Sequence, residues 1–73
     1  MSDNEENYKE AFGKKVEQFR LSKDFGLREF ALIAGIEHHQ LINIEKGRVD
    51  VRLSTLLKIS KGLEIEPKDL LDF

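Results

Sequence analysis

Between Leu27 and Lys46 the sequence LREFALIAGIEHHQLINIEK sets two short apolar-periodic segments on either side of a single glycine. Neither segment is long enough to hold a helix on its own, so each must bury its stripe against the other. Phe30, Ala31 and Ala34 share one face of the first segment, and Leu41 and Ile44 share one face of the second. Gly35 lies where a chain leaving a helix favours the left-handed region, which a residue without Cβ enters at little steric cost. Ala31, four residues earlier, is small where a second helix must cross closely. Ile36 can pack under the turn and complete the angle. The pattern predicts a helix-turn-helix unit, in which the second helix is the one offered to a DNA major groove.

The rest of the chain supplies what such a unit needs to fold. Tyr8, Phe12, Val16 and Phe19 recur at spacings of four, four and three, the stripe of a helix that runs to about Ser22 and is broken by Asp24 and Gly26. Residues 1–4 read as a frayed tail, within an acidic stretch 1–10 that runs into this first helix. The second helix is expected over Phe25–Ala34. The third starts at Glu37 or His38 and is ended by Gly47. Arg48 to Arg52 (RVDVR) reads as a loop, its Val-Asp-Val too short to find strand partners. Leu53 to Gly62 is a fourth helix with Leu53, Leu56, Leu57 and Ser60 as its inward stripe. Pro67 suits the first position of a short fifth helix, with Leu70, Leu71 and Phe73 on its apolar side. The expectation is an all-α fold of five short helices in one domain, 11–73, with no strand.

Composition narrows the function. A chain of 73 residues with 40% apolar and 36% charged residues has enough for one small core. No nucleophile–base set, paired-carboxylate cleft or phosphate-binding loop is visible, so no enzyme activity is expected. There are no cysteines, which removes disulfides and thiolate metal sites. Adjacent His38 and His39 point about 100° apart on a helix, and no third ligand accompanies them. Neither a metal nor a cofactor is expected. No apolar run approaches the ~18 residues of a membrane span, and the acidic N-terminus is unlike a signal peptide. The reading is a soluble, cytoplasmic protein. Net charge is −2, but it is unevenly placed: residues 11–63 carry ten Lys/Arg against six Asp/Glu, between acidic ends. A basic centre can present a positive face to nucleic acid despite a negative sum.

Helical geometry sorts the third segment. At about 100° per residue, with Leu41 at zero, Ile44 and Glu45 fall near the core side, while Ile42, Asn43, His39 and Lys46 face away. His38 lies closer to the core side but can point forward from the first turn. Asn pairs naturally with adenine, His can donate to guanine N7 or O6, and Ile can touch a thymine methyl. Phosphate contacts are expected from Arg28, Lys46, Arg48 and Arg52, assisted by the N-terminal amides of helix 2.

The span from about Lys14 to Phe73 resembles the Cro/phage-repressor (Xre-type) helix-turn-helix family. The matching pieces are FRLSKDF, EFALIAGI, HHQLINIEKG and LSTLLKISKGL, in the family's order. The resemblance implies a compact five-helix domain that binds double-stranded DNA as a dimer on a two-fold operator. It implies a transcriptional regulator, a repressor or autoregulator, whose base contacts come from the positions of His38, His39 and Asn43. It also implies an ion pair between Arg20 and Glu45 linking helix 1 to the recognition helix, which fits their places at the edges of their helices' stripes. The dimer contact is expected from the domain itself, near Leu63, Leu70, Leu71 and Phe73. An antitoxin-like or adaptor role, with a protein partner such as a toxin on a face containing Leu27 and Ile42, is the alternative. Four features, at five positions, depart from the family. Gly26 and Leu27 stand where a polar cap and Gln are common, Glu37 where Ser or Thr caps the recognition helix, and Val51 where the loop often has proline. Glu64 stands where glycine commonly follows helix 4, so either that turn is strained or Gly62 takes it over.

Overall fold

The computed structural model describes residues 3–73, with side chains from residue 7 onward. Five helices follow in order: α1 Asp3–Ser22, α2 Leu27–Ala34, α3 His38–Glu45, α4 Leu53–Leu63 and α5 Pro67–Leu70. No strand occurs among the described residues. The expected frayed tail does not extend to Asp3 and Asn4, which already belong to α1; Met1 and Ser2 lie outside the described residues.

Each boundary has a local cause. After α1, Asp24 adopts a positive φ of 61° and the Phe25 N–H returns to the Arg20 carbonyl at 3.2 Å, so the chain reverses before α2. This is why α2 starts at Leu27 and not at Phe25. Gly26 cannot cap α2 with a side chain, but its own N–H donates to Glu29 Oε1 at 3.3 Å. Gly35 ends α2 in the left-handed region (φ 75°), where it and Ile36 donate to the Ala31 carbonyl at 2.9 and 3.0 Å. After α4 the left-handed residue is Glu64 itself (φ 59°, ψ 42°); Gly62 stays helical and lies against Phe30 and Ala34 of α2.

The core is one cluster. Val16 of α1, Phe30 of α2, Leu41 of α3, Ile59 and Leu63 of α4 and Leu70 of α5 have no exposed surface. α1 packs chiefly on α3, and α2 lies between α3 and α4. Gly13 sets the first of these contacts. A Cβ there would stand 2.3 Å from the Ile44 carbonyl oxygen, so any side chain would drive α1 and α3 apart. At 23% to 43% exposure Tyr8 and its neighbour Lys9 are peripheral; Tyr8 donates to Asp50 Oδ1 at 2.6 Å.

Two further expectations need correction. The buried face of α4 is Thr55, Leu56, Ile59, Ser60 and Leu63, whereas Leu53 and Leu57 are 70% and 49% exposed. With leucine or isoleucine on nearly every side of this helix, periodicity alone cannot choose the inward face. Leu63 and Leu70, placed in the dimer contact, are instead fully buried core. The one-turn helix α5 folds back against α4 and α1, which consumes the apolar side of Leu70.

Candidate nucleic-acid interface

The orientation of α3 is set at its far end by a charge pair reaching across from α1. Arg20 Nε donates to Glu45 Oε2 at 2.7 Å and Nη2 donates to Oε1 at 3.0 Å, a two-point fork with both side chains under 10% exposed. The third arm of the guanidinium, Nη1, donates to the Phe25 carbonyl at 2.7 Å. One side chain thus ties together α1, the α1–α2 turn and α3. The hydrogen bonds that Arg20 donates to Glu45 raise the Arg20 pKa above its ordinary value against the opposing effect of burial. Phe25, so held, stacks on Phe30 at 5.7 Å.

With Leu41 and Ile44 in the core, α3 turns its opposite side outward: His39 and Lys46 are exposed, and His38, Ile42 and Asn43 are half-buried. The first turn of α3 is near α2. Arg28, Leu32, Ile36 and Glu37 line a depression with His38 and His39, whose rings are 5.8 Å apart. Partial desolvation, then the positive charge of Arg28 and the neighbouring His39, hold the His38 pKa below the usual imidazole value. Glu37 precedes α3 without a side-chain cap. Ile42 and Leu27 line a second depression together with Glu17, Lys46 and the Arg20–Glu45 pair. The outward face of α3 is therefore bordered by cations at both ends, Arg28 at the first turn and Lys46 at the last.

Beyond α3 the chain turns at Gly47 (φ 72°), where a Cβ would meet the Glu10 backbone at 2.7 Å. The Arg48 N–H donates to the Asn43 carbonyl at 3.0 Å, and Arg48 Nη1 donates to Asn43 Oδ1 at 3.2 Å. The loop is fixed to α1 at a further point by Tyr8 and, at 4.0 Å, Lys9, both on Asp50. Arg52 is exposed at the start of α4. Arg48 is thus engaged with a residue expected to read bases. The anchoring of the loop to α1 by Tyr8, Lys9 and the Gly47–Glu10 contact is not evident from sequence motifs. The close approach of α1 to α3 does have a sequence signal in Gly13, a glycine inside an otherwise helical pattern.

A short two-helix turn, its second helix braced by a buried ion pair and presenting polar and basic residues outward, defines a helix-turn-helix DNA-binding protein. Residues 14–73 match the family of the Cro/C1-type HTH DNA-binding domain. The control protein C.BamHI from Bacillus amyloliquefaciens is 41% identical over 68 residues, 92% of this chain and 84% of that protein. Among solved structures, the restriction-modification controller protein C.AhdI from Aeromonas hydrophila aligns with a TM-score of 0.82 at 28% identity, over 84% of this chain and 92% of that one. The clp gene regulator ClgR from Corynebacterium glutamicum aligns with a TM-score of 0.83 at 30% identity, over 88% of this chain and 68% of that one. The chain belongs to the Cro/C1-type helix-turn-helix family and is a DNA-binding transcription regulator. No helix among the described residues is long and apolar enough to cross a membrane.

Proposed function

We propose that the protein is a sequence-specific controller of transcription that lays α3 in the major groove and represses or autoregulates its own promoter region. The observation that carries this reading is the outward face of α3, held at a fixed angle by the buried Arg20–Glu45 fork. His38, His39, Ile42 and Asn43 read base edges; Arg28, Lys46, Arg48 and Arg52 contact phosphates. Similarity to C.BamHI and C.AhdI supports a restriction-modification system as the setting.

The protein acts as a homodimer on a two-fold site, with recognition helices about 34 Å apart on successive major grooves. The contact lies at the C-terminus around Leu71 and Phe73, which are 51% and 58% exposed and border an apolar cleft with Val49 and Leu56. The toxin-partner alternative draws no support from Leu27 and Ile42. They sit beside Glu17 and Lys46 in a charged depression, poor ground for an apolar partner.

The test is to select DNA fragments from a random pool with the purified protein and sequence them. Enrichment of one pseudo-palindromic site supports the reading. Retention of all sequences equally, at any salt concentration, contradicts it.

A further inference from the structure

We infer that Arg48 is a positioning residue for base reading: it fixes the Asn43 carboxamide so that Asn43 meets the DNA as a hydrogen-bond donor and selects guanine over adenine. This rests on the base-reading role proposed for Asn43 above. The Arg48 side chain donates to Asn43 Oδ1 at 3.2 Å while the Arg48 backbone N–H donates to the Asn43 carbonyl at 3.0 Å, so the two residues are joined at main chain and side chain. The turn between them is not free to drift. Gly47 has φ 72° and lies so close to Glu10 that no side chain fits, and Asp50 beyond it is held by Tyr8 at 2.6 Å.

The chemistry of the pair settles which way round the amide sits. A guanidinium has donors only, so the amide oxygen and not the NH2 group must face it. The NH2 group is then left for the ligand. Guanine offers two acceptors in the major groove, N7 and O6. Adenine recognition by Asn needs the amide oxygen to accept from the adenine amino group while the NH2 donates to N7. Arg48 already takes one of that oxygen's two lone pairs, so an adenine amino group has to share the oxygen with a guanidinium. Adenine therefore competes with Arg48 for the amide oxygen, and guanine, which needs only the NH2 group, does not. This refines the general expectation that Asn reads adenine.

The experiment measures equilibrium binding of the full chain, at one salt concentration, to the selected site and to its single-base-pair variants. Asn43→Ala first identifies the base pair that Asn43 reads, as the one whose preference it abolishes. Wild type is expected to prefer guanine at that pair. Arg48→Ala should move the preference there toward adenine by about tenfold, within the range of one bidentate contact, on top of a uniform weakening everywhere. A melting curve confirms that each variant is folded. Uniform weakening by Arg48→Ala with the preference unchanged would overturn the inference, as would a wild-type preference for adenine. If Asn43→Ala alters preference at no base pair, the base-reading assignment itself fails and takes the inference with it.

Discussion

The Arg20 guanidinium grips the Glu45 carboxylate with two hydrogen bonds, 2.7 and 3.0 Å, across 25 residues of sequence and from inside the fold. This contact joins stability to function, because the helix it holds is the one proposed to read DNA. Arg20→Ala would leave the Glu45 carboxylate buried without its partner and free the Phe25 carbonyl. Removing one member of such a pair costs about 3–5 kcal/mol, a large share of what a small domain has. Thermal or urea unfolding of Arg20→Ala should show a loss of that size. Arg20→Lys should recover only part of it, since an ammonium cannot make the planar fork. An Arg20→Ala protein with wild-type stability would contradict the bracing role.

Glu64→Gly should stabilise the protein. Glu64 occupies the left-handed region at φ 59°, where a Cβ costs about 1–2 kcal/mol and glycine does not. A gain of about 1 kcal/mol would raise the melting temperature of a domain this size by about 4–8 °C. An unchanged or lower melting temperature would mean that the Glu64 side chain makes a compensating contact.

The sequence carries the two-helix turn in full, because Ala31, Gly35 and the stripes of Phe30, Ala34, Leu41 and Ile44 each have one workable geometry. The contact between Arg20 and Glu45 is legible too, from their places at the stripe edges and from the family resemblance. The inward face of α4 is not. Leu53 and Leu57 are as apolar as Leu56 and Leu63, and only packing against α2 and α5 decides between them. Nor does periodicity show that the one-turn α5 folds back on α4 and α1, which puts Leu63 and Leu70 in the core and not in a dimer contact. The Arg48–Asn43 bond lies beyond pattern reading, since it depends on where Gly47 turns the chain.

DNA binding should strengthen as pH falls from 8 to 6 at fixed salt. Partial desolvation, with the charges of Arg28 and His39, holds His38 below the usual imidazole value in the free protein. Phosphates near the bound histidine favour imidazolium and raise its pKa in the complex. A group whose pKa rises on binding adds affinity that is fully present below its free value and is lost as pH climbs through its bound value. Titrating affinity with pH checks this, and His38→Gln should flatten the profile. A flat wild-type profile would mean that His38 binds as a neutral donor or does not reach the DNA.

The C-terminal placement of the dimer contact is tested by charge. Removing the last helix would not serve, because Leu70 is fully buried and its loss would unfold the core. Leu71→Glu with Phe73→Glu changes two exposed side chains instead. This variant should keep its melting transition, sediment as a monomer at concentrations where wild type is a dimer, and lose affinity for a full site more than for a half-site. A dimeric double variant would move the contact elsewhere.

The central claim is that the outward face of α3 reads sequence while the flanking cations supply affinity. Its most direct test is the ratio of specific to non-specific binding, measured across salt concentrations for wild type and for a variant with His38, His39 and Asn43 all changed to Ala. The account predicts that the triple variant loses most of that ratio, at about 1–3 kcal/mol per base contact, while its binding to random DNA and the salt dependence of that binding stay near wild type. An unchanged ratio in the folded triple variant would contradict it.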